Sequence, residues 1–419
     1  MTAARNELDV CVRDARLISL EEACQRAVRH VTPIHRSETV SIVDALDRVL
    51  AEKICARIAL PPFDQSAMDG YALAACSIDR IETELPVASR ITAGASSPSL
   101  PVGAAARIFT GAPIPRGADT VVMQEHVRRD GLCVRVDGPV RQGSNIRRRG
   151  EDIAKGEALL QVGQRLDARH LALLAAQGFA DIQVFHQPRI AVASTGDELR
   201  QPAETLGEAA IFDSNRPMLL ALARRAGLDA IDGGSIPDDA KVMALRLSAL
   251  AEVSDMVVTT GGASVGEEDH SAAALAASGA SFEVLKIALK PGKPAVVGRF
   301  PRAAYLGLPG NPVSALVAWF TIGSAMVAAL GGTNPHRRLG CSMKTISTFE
   351  RRPGRTEFVP ARLVLTDEGP WVEILGRGGS ARLKPLIHAD GLAEIAASSG
   401  SLGPGDSVLF HTFRSGFAT

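Results

Sequence analysis

The sequence predicts a multidomain chain of class α/β plus β, and three observations carry that prediction. At 419 residues the chain exceeds what one hydrophobic core organises, so roughly two to four folding units are expected. From about residue 187 apolar strand-like runs alternate with helical stretches, the pattern of a parallel sheet covered by helices on both faces. On either side, at 54–150 and beyond about 334, short apolar runs punctuated by Gly and Pro predict β-rich units, the second without helices.

The elements follow in order. Residues before about Leu17 read as a loose arm. Ser19 with Glu22 three places on predicts a capping box, and Leu20, Ala23, Cys24, Ala27, Val28 and Val31 repeat at helical spacing. Residues 85–91, 106–109 and 120–124 read as strands of a small β-rich domain. A helix is expected over 167–178, with Asp167 as N-cap and Gly178 where it stops. Strands are then expected at 189–194, 255–260, 283–289, 295–300 and 303–308. Helices are expected at 215–226, stopped by Gly227, at 238–251, and from Pro312 onward. In the last unit 358–365, 371–374 and 407–411 read as strands.

Composition narrows the function. Lys+Arg and Asp+Glu both number 46, so no global field draws the chain to nucleic acid or to a membrane surface, and any anion site is local. The apolar run 313–330 is broken by Ser314, Thr321 and Ser324 and falls short of the ~20 residues of a membrane span, so a buried helix is expected. Cys11, Cys24, Cys55, Cys76, Cys133 and Cys341 stand far apart without a CxxC pair, which fits reduced thiols. The opening MTAARNELDVCVRDARL carries charges where a secretory signal has an apolar core, and a cytoplasmic location is expected. Neither GxxxxGK[ST] nor GxGxxG occurs, which argues against P-loop and dinucleotide enzymes.

Four segments carry chemistry. In DMVVTTGGASVGEED an apolar strand runs into Gly261 and Gly262, and paired glycines at the carboxyl end of such a strand let phosphate approach backbone N–H groups. Glu267, Glu268 and Asp269 follow with hard oxygen donors suited to Mg²⁺ and phosphate; the plainer reading is a tight turn into a solvated helix start. RIAVASTGDEL presents Ser194, Thr195, Asp197 and Glu198 at the same expected edge, either for a metal-bound polyphosphate or as a capped helix start. KIALKPGKP gathers Lys286, Lys290 and Lys293 around a stiff Pro291–Gly292 turn, which suits a multiply charged oxyanion; the alternative is a solvated basic loop. LGLPGNPVSAL enters a helix with Pro312 near its first position and Ser314 in its first turn, where free N–H groups attract anions. By contrast, Arg147, Arg148 and Arg149 with Glu151 and Asp152 read as a surface charge cluster.

Together these segments resemble the molybdopterin molybdenumtransferase family, known as MoeA in bacteria and represented in animals by the gephyrin E domain. The matching strings are PPFDQSAMDGYA at Pro61, RIFTGAPIPRGADTVVMQE at Arg107, GSNIRRRGEDI at Gly143, ASTGDEL at Ala193, TTGGASVGEEDH at Thr259, KPGKP at Lys290 and LGLPGNPVSA at Leu306. The resemblance runs from about Leu17 to the C-terminus. It implies a discontinuous helical domain (17–54 and 151–186), a β-rich domain (55–150), a doubly wound α/β nucleotide-type domain that binds molybdopterin (187–335) and a C-terminal β domain (336–419). It also implies a homodimer whose cleft is shared between subunits, and a reaction in which adenylyl-molybdopterin and molybdate give AMP and the metallated cofactor with Mg²⁺. The molybdopterin adenylyltransferase of the same pathway is the implied partner.

Positions matching the family's functional residues are Asp69, Thr110, Asp152, Glu198, Asp238, Asp269, Lys286, Lys290, Lys293, Ser314 and Ser380, with Asp269 as the metal ligand and Gly261 and Gly262 beside the substrate. One position departs: where relatives place an arginine after PGR, this chain has Pro360, with Arg362 two positions on as a same-face strand neighbour. Rival readings are the related adenylyltransferase, against which the extra β domains and the DQSAMDGY and NIRRRGED strings argue, and a non-catalytic scaffold, for which no added domain is evident.

Overall fold

The computed structural model describes residues 17–78, 83–261, 270–333, 340–376 and 379–413; the expected N-terminal arm lies outside them. The α/β unit is built on a six-stranded sheet, in the order Asp229–Ile236, Arg189–Thr195, Met256–Gly261, Ala304–Pro309, Pro294–Arg299, Ser281–Lys286. Its strands are apolar on both faces because both are covered. Val192, Met256, Val258, Leu306 and Leu308 pack against the helices Asn215–Arg225 and Pro312–Ala318, while Ala193, Val257 and Tyr305 pack under Ala240–Val253 and His270–Ala277. Five strands share one direction and Pro294–Arg299 runs antiparallel to both of its neighbours, which corrects the all-parallel expectation. The reason is local: Phe300 N–H bonds the Ala303 carbonyl across a turn too short for a crossover, so the flanking strands can pair only antiparallel.

The long helix from Pro312 is interrupted by a π-helical segment at Trp319–Gly323 and resumes over Ser324–Leu330. It is a core element, with 72% of its most apolar window buried. Leu20–Val28 is helical as its stripe requires, and Ala23 and Ala27 bury against this α/β core. Its capping box is half formed, since Ser19 Oγ accepts from the Glu22 N–H while the Glu22 carboxylate turns to Arg26.

Segments distant in sequence meet beside it. Ser37–Ser41 pairs antiparallel with Asp181–Phe185, and Ala45, Leu50 and Ile54 share a core with Leu160, Leu166, Leu174 and Ile182. Asp167 caps Ala168–Ala176, with His170 returning the bond. Between these halves the chain makes a second six-stranded sheet, in the order Thr120–Met123, Gly70–Leu73, Ala105–Ile108, Glu84–Ile91, Cys133–Val136, Val127–Asp130. The C-terminal unit is a third sheet around Thr356–Thr366. It also holds a short helix, Leu383–Ile387, where none was expected; five residues with no buried side chain leave no periodicity to read. Leu289–Lys290 leaves the α/β unit and pairs with Thr356 and Glu357, so the expected strand over 283–289 ends at Lys286 and the lysine loop joins two sheets.

Candidate active site along one sheet edge

The strand directions place most of the candidate residues of the α/β unit along a single edge. Strands Asp229–Ile236, Arg189–Thr195, Met256–Gly261, Ala304–Pro309 and Ser281–Lys286 all end there, and Pro294–Arg299 begins there. From one end to the other that edge carries Asp238, Glu198, Gly261, Gly310, Lys293 and Lys286. It is therefore acidic at one end, glycine-lined in the middle and basic at the other.

The middle is the point where strand order reverses. After Arg189–Thr195 the chain adds one strand on one side and the next on the other, and ligands of such sheets bind just beyond the strand ends at this switch, here Thr195 and Gly261. Gly261 has φ +128, and a Cβ built on it would lie 2.2 Å from the Thr195 carbonyl oxygen. Asn215 ties the strand ends together: its Nδ2 donates to Thr260 Oγ1 at 2.8 Å and to the Gly310 carbonyl at 2.6 Å. Asp213, almost fully buried, accepts from Ser194 Oγ at 2.6 Å and from Arg216 Nε at 3.0 Å. Sequence reasoning passed over this pair, although FDSN ahead of an apolar helix is itself a helix-start signal.

At the acidic end the helix begins at Ala240, two residues later than expected, because Asp239 rather than Asp238 caps it through the Lys241 and Val242 N–H groups. That leaves Asp238 exposed outside the helix. Asp197 and Asp238 each donate a backbone N–H to the other's carboxylate, at 3.3 and 3.1 Å, which brings the two loops together beside the exposed Glu198.

At the basic end a cleft of about 300 Å³ opens between the α/β unit and the C-terminal sheet, lined by Lys290, Lys293, Ser314, Arg355, Glu357 and Ser380 among others. Four residues named from sequence thus meet there. The loop is gripped on both sides, since Ile18 N–H bonds the Lys286 carbonyl and Thr356 N–H bonds the Ala288 carbonyl. The Ser380 carbonyl accepts the Val313 N–H, which draws Ser380 to the start of the long helix. Lys290 Nζ lies 2.8 Å from Glu357 Oε1. Lys286 stands on the same edge but does not line the cleft. Pro360 does line it, whereas Arg362 pairs with Glu373 at 2.7 Å on an exposed strand surface and does not replace the family's arginine there. Arg355 and Glu357 escaped the sequence reading.

The β-rich unit holds a third group. Asp69 Oδ1 accepts both the Thr110 N–H and the Thr110 hydroxyl, each at 2.8 Å, joining two positions predicted from sequence. The Thr110 N–H, then its hydroxyl, hold the Asp69 carboxyl below the usual carboxylate range. A lowered carboxylate pKa makes its contribution complete above the ordinary value and lost as pH falls through the lowered one. The Thr110 amide resonance should therefore stay fixed from pH 8 down to about pH 4 and move only below it. Movement between pH 7 and 5 in an NMR titration would refute the pairing. Asp152 is exposed, with its N–H on the Leu60 carbonyl. Arg148 and Arg149, read as surface charge, anchor Asp64 through a guanidinium contact of 2.6 Å and a backbone N–H at 2.8 Å. Gly262 and Asp269 lie outside the described residues.

Three family models match the chain. The MoeA N-terminal region (domain I and II) covers residues 18–178, a probable molybdopterin binding domain 191–329, and the MoeA C-terminal region (domain IV) 344–413. The chain is 33% identical over 407 residues to the molybdopterin molybdenumtransferase of Haemophilus influenzae, covering 95% of this chain and 99% of that one. It is 35% identical over 382 residues to molybdopterin molybdenumtransferase 2 of Mycobacterium tuberculosis, with 88% and 94% covered. Among solved structures it is similar to the molybdopterin biosynthesis MoeA protein of Pyrococcus horikoshii, with a TM-score of 0.79 at 28% identity over 95% of this chain and 100% of that one.

Proposed function

The chain belongs to the MoeA family of molybdopterin molybdenumtransferases, and from that membership we propose that the sheet edge is where adenylyl-molybdopterin and molybdate meet. The protein is a transferase of molybdenum cofactor biosynthesis, transferring molybdenum to molybdopterin. The observation that carries the finer reading is the order of groups along the edge. Glycines in the middle admit the phosphates of the pterin nucleotide to the strand ends, and the lysine cleft takes molybdate as the second substrate. Water then cleaves the phosphoanhydride linkage, AMP leaves and the other phosphate stays on the pterin, while the two dithiolene thiols give up their protons and replace two oxygens of molybdate, which leave as water.

Mg²⁺ fits the acidic end by its donor set. Asp197 and Asp238 each spend carboxylate capacity on the other's N–H and keep oxygens free beside Glu198. Asp197, Asp238 and Glu198 would hold the ion as hard oxygen donors, with Asp269, outside the described residues, as the ligand the family resemblance implies. When bound, Mg²⁺ would supply charge neutralisation on the phosphate oxygens. Asp238 and Glu198 would hold the ion, while Lys290, Lys293 and Ser314 orient the oxyanion.

Asp69 and Thr110 bond within the β-rich unit, as does the Asp152 backbone, and we assign these residues to the edge of a second copy, making the homodimer the active unit. At limiting molybdate, where Asp69→Ala and Lys290→Ala dimers are each strongly impaired alone, mixing them should restore parent-like activity in about a quarter of the sites after subunit exchange. No recovery, or a sedimentation mass of one 44.0 kDa chain at micromolar concentration, would refute the shared cleft. We place the reaction in the cytoplasm, downstream of the molybdopterin adenylyltransferase. The whole reading is tested by molybdate-dependent release of AMP from adenylyl-molybdopterin by the purified protein; release that ignores molybdate overturns it.

A further inference from the structure

The α/β sheet has a second hollow, at the edge opposite the candidate active site. Met256–Gly261 and Ala304–Pro309 begin at that edge and Pro294–Arg299 ends there. Gly261 is about 17 Å away along its strand, too far for one small ligand to reach both edges. The chain crosses this edge between the helix Leu20–Val28 and the strand Ser37–Ser41, pinned by the Ile34 N–H on the Leu330 carbonyl. The turn from Arg299 to Ala304 is closed by the Phe300 N–H on the Ala303 carbonyl. Together the two segments line a cavity of about 260 Å³.

The lining divides by chemistry. Ile34, Phe300, Ala303 and Leu330 are buried, and Phe300 stands edge-on to Tyr305 with ring centroids 6.0 Å apart, so the floor is apolar and fixed. Arg36, Arg299, Arg302, His30 and His35 supply the polar wall, and Asp255 is the one carboxylate among the lining residues. Asp255 cannot neutralise this wall, because its Oδ2 accepts the Arg189 N–H at 2.8 Å and its Oδ1 meets Arg36 Nη2 at 3.2 Å. Arg302 reaches Glu252 only at 3.6 Å with both side chains mostly exposed, a contact that water leaves weak. His30 is taken by Glu283 at 3.2 Å. Among the described residues Arg299 and His35 have no side-chain partner.

In a chain whose charges balance at 46 of each sign, this is a local excess of positive charge set against apolar surface. Guanidinium forks match pairs of phosphate oxygens. An apolar floor adds nothing for a bare ion and stabilises a carbon group attached to one. The volume lies at the small end of ligand pockets. From this combination we propose that the hollow binds a small phosphate monoester, with its phosphate held by Arg299 beside Arg36 and Arg302 and its organic group on the floor at Phe300 and Ile34.

Phenyl phosphate is the probe. The readout is the ring resonance of His35, one of nine histidines, identified in the NMR spectrum by its loss in His35→Gln. Phenyl phosphate should shift it saturably in the parent protein. Arg299→Ala should weaken that binding about tenfold, as loss of one charge-assisted contact implies, and Arg299→Lys should recover part of it. Both variants should melt with the parent, because the side chain holds nothing else. Inorganic phosphate lacks the carbon group and should bind about tenfold more weakly. Lys290→Ala weakens the lysine cleft at the other edge and should leave the His35 titration unchanged. The proposal falls if His35 does not respond saturably, if Arg299→Ala keeps parent affinity, or if its weaker binding comes with a lowered melting temperature. Loss of the response in Lys290→Ala would place the ligand at the active edge and overturn the proposal too. Equal affinity for inorganic phosphate overturns the ester assignment, since the floor would then take no part.

Discussion

Gly261→Ala should destabilise the α/β unit by about 2 to 6 kcal/mol and abolish activity with it. Two costs add. The backbone at Gly261 has φ +128, a region an L side chain enters only with strain of about 1 to 3 kcal/mol. The new methyl would also sit 2.2 Å from the Thr195 carbonyl oxygen and 2.3 Å from its hydroxyl, so one strand end must move away from the other, at about 1 to 3 kcal/mol more. Neither strand can yield cheaply. Thr195 is buried at the end of Arg189–Thr195, and the neighbouring Thr260 is held by Asn215. Gly94→Ala is the control: its φ of +81 is also positive, but nothing lies within 4 Å of its missing Cβ, so only the backbone term remains. By differential scanning calorimetry the Gly261 variant should lose roughly 10 °C and the Gly94 variant far less. Equal shifts would show that the strand ends at Thr195 and Gly261 have slack, and that their close approach is not what requires glycine there.

What could be read from sequence divides along a physical line. Strand ends were legible because Ile190, Val192, Met256 and Val258 form apolar runs closed by polar residues or glycine, and the candidate residues were found by looking just past them. The edge they share follows from strand direction, which local pattern encodes wherever a long helix separates two strands. It failed at residues 300–303, where a short turn reverses the chain and periodicity has no say. Helix starts were legible to within a residue or two: Asp167 was found as a cap, and the helix expected from residue 238 starts at Ala240, capped by Asp239. What escaped is partnership between residues distant in sequence. Lys290 was visible as a cation, but that Glu357 faces it depends on Leu289–Lys290 pairing with a strand of the next unit. Arg355 gave no signal because an arginine after a Pro-Gly turn reads as surface, and only that same pairing brings it to the cleft. Asn215 and Asp213 are one helix start in sequence and the tie between strand ends in space.

Lys290→Ala should raise the molybdate concentration needed for half-maximal AMP release by more than the tenfold expected of an ordinary contact, while leaving adenylyl-molybdopterin affinity largely intact. A charge-assisted hydrogen bond is worth about 1.5 to 3 kcal/mol, which alone gives about tenfold or greater weakening. Here the deletion does a second thing. It removes one of the two cations on Glu357, so a buried carboxylate faces the cleft with only the 3.3 Å contact to Arg351 to offset it. An incoming dianion then meets lost attraction and fresh repulsion together, in a site screened only partly by water. Lys293→Ala is the comparison, since Lys293 is exposed and has no carboxylate partner among the described residues; its loss removes attraction without adding repulsion and should cost less. The phosphates of the pterin nucleotide are expected at the glycine-lined middle of the edge, so direct binding of that nucleotide should change little in either variant. The measurement is a molybdate titration at saturating nucleotide, paired with nucleotide binding. If Lys290→Ala instead loses nucleotide affinity and keeps its molybdate dependence, the lysine loop is a phosphate clamp, and the oxyanion must be sought among groups that do not depend on Lys290.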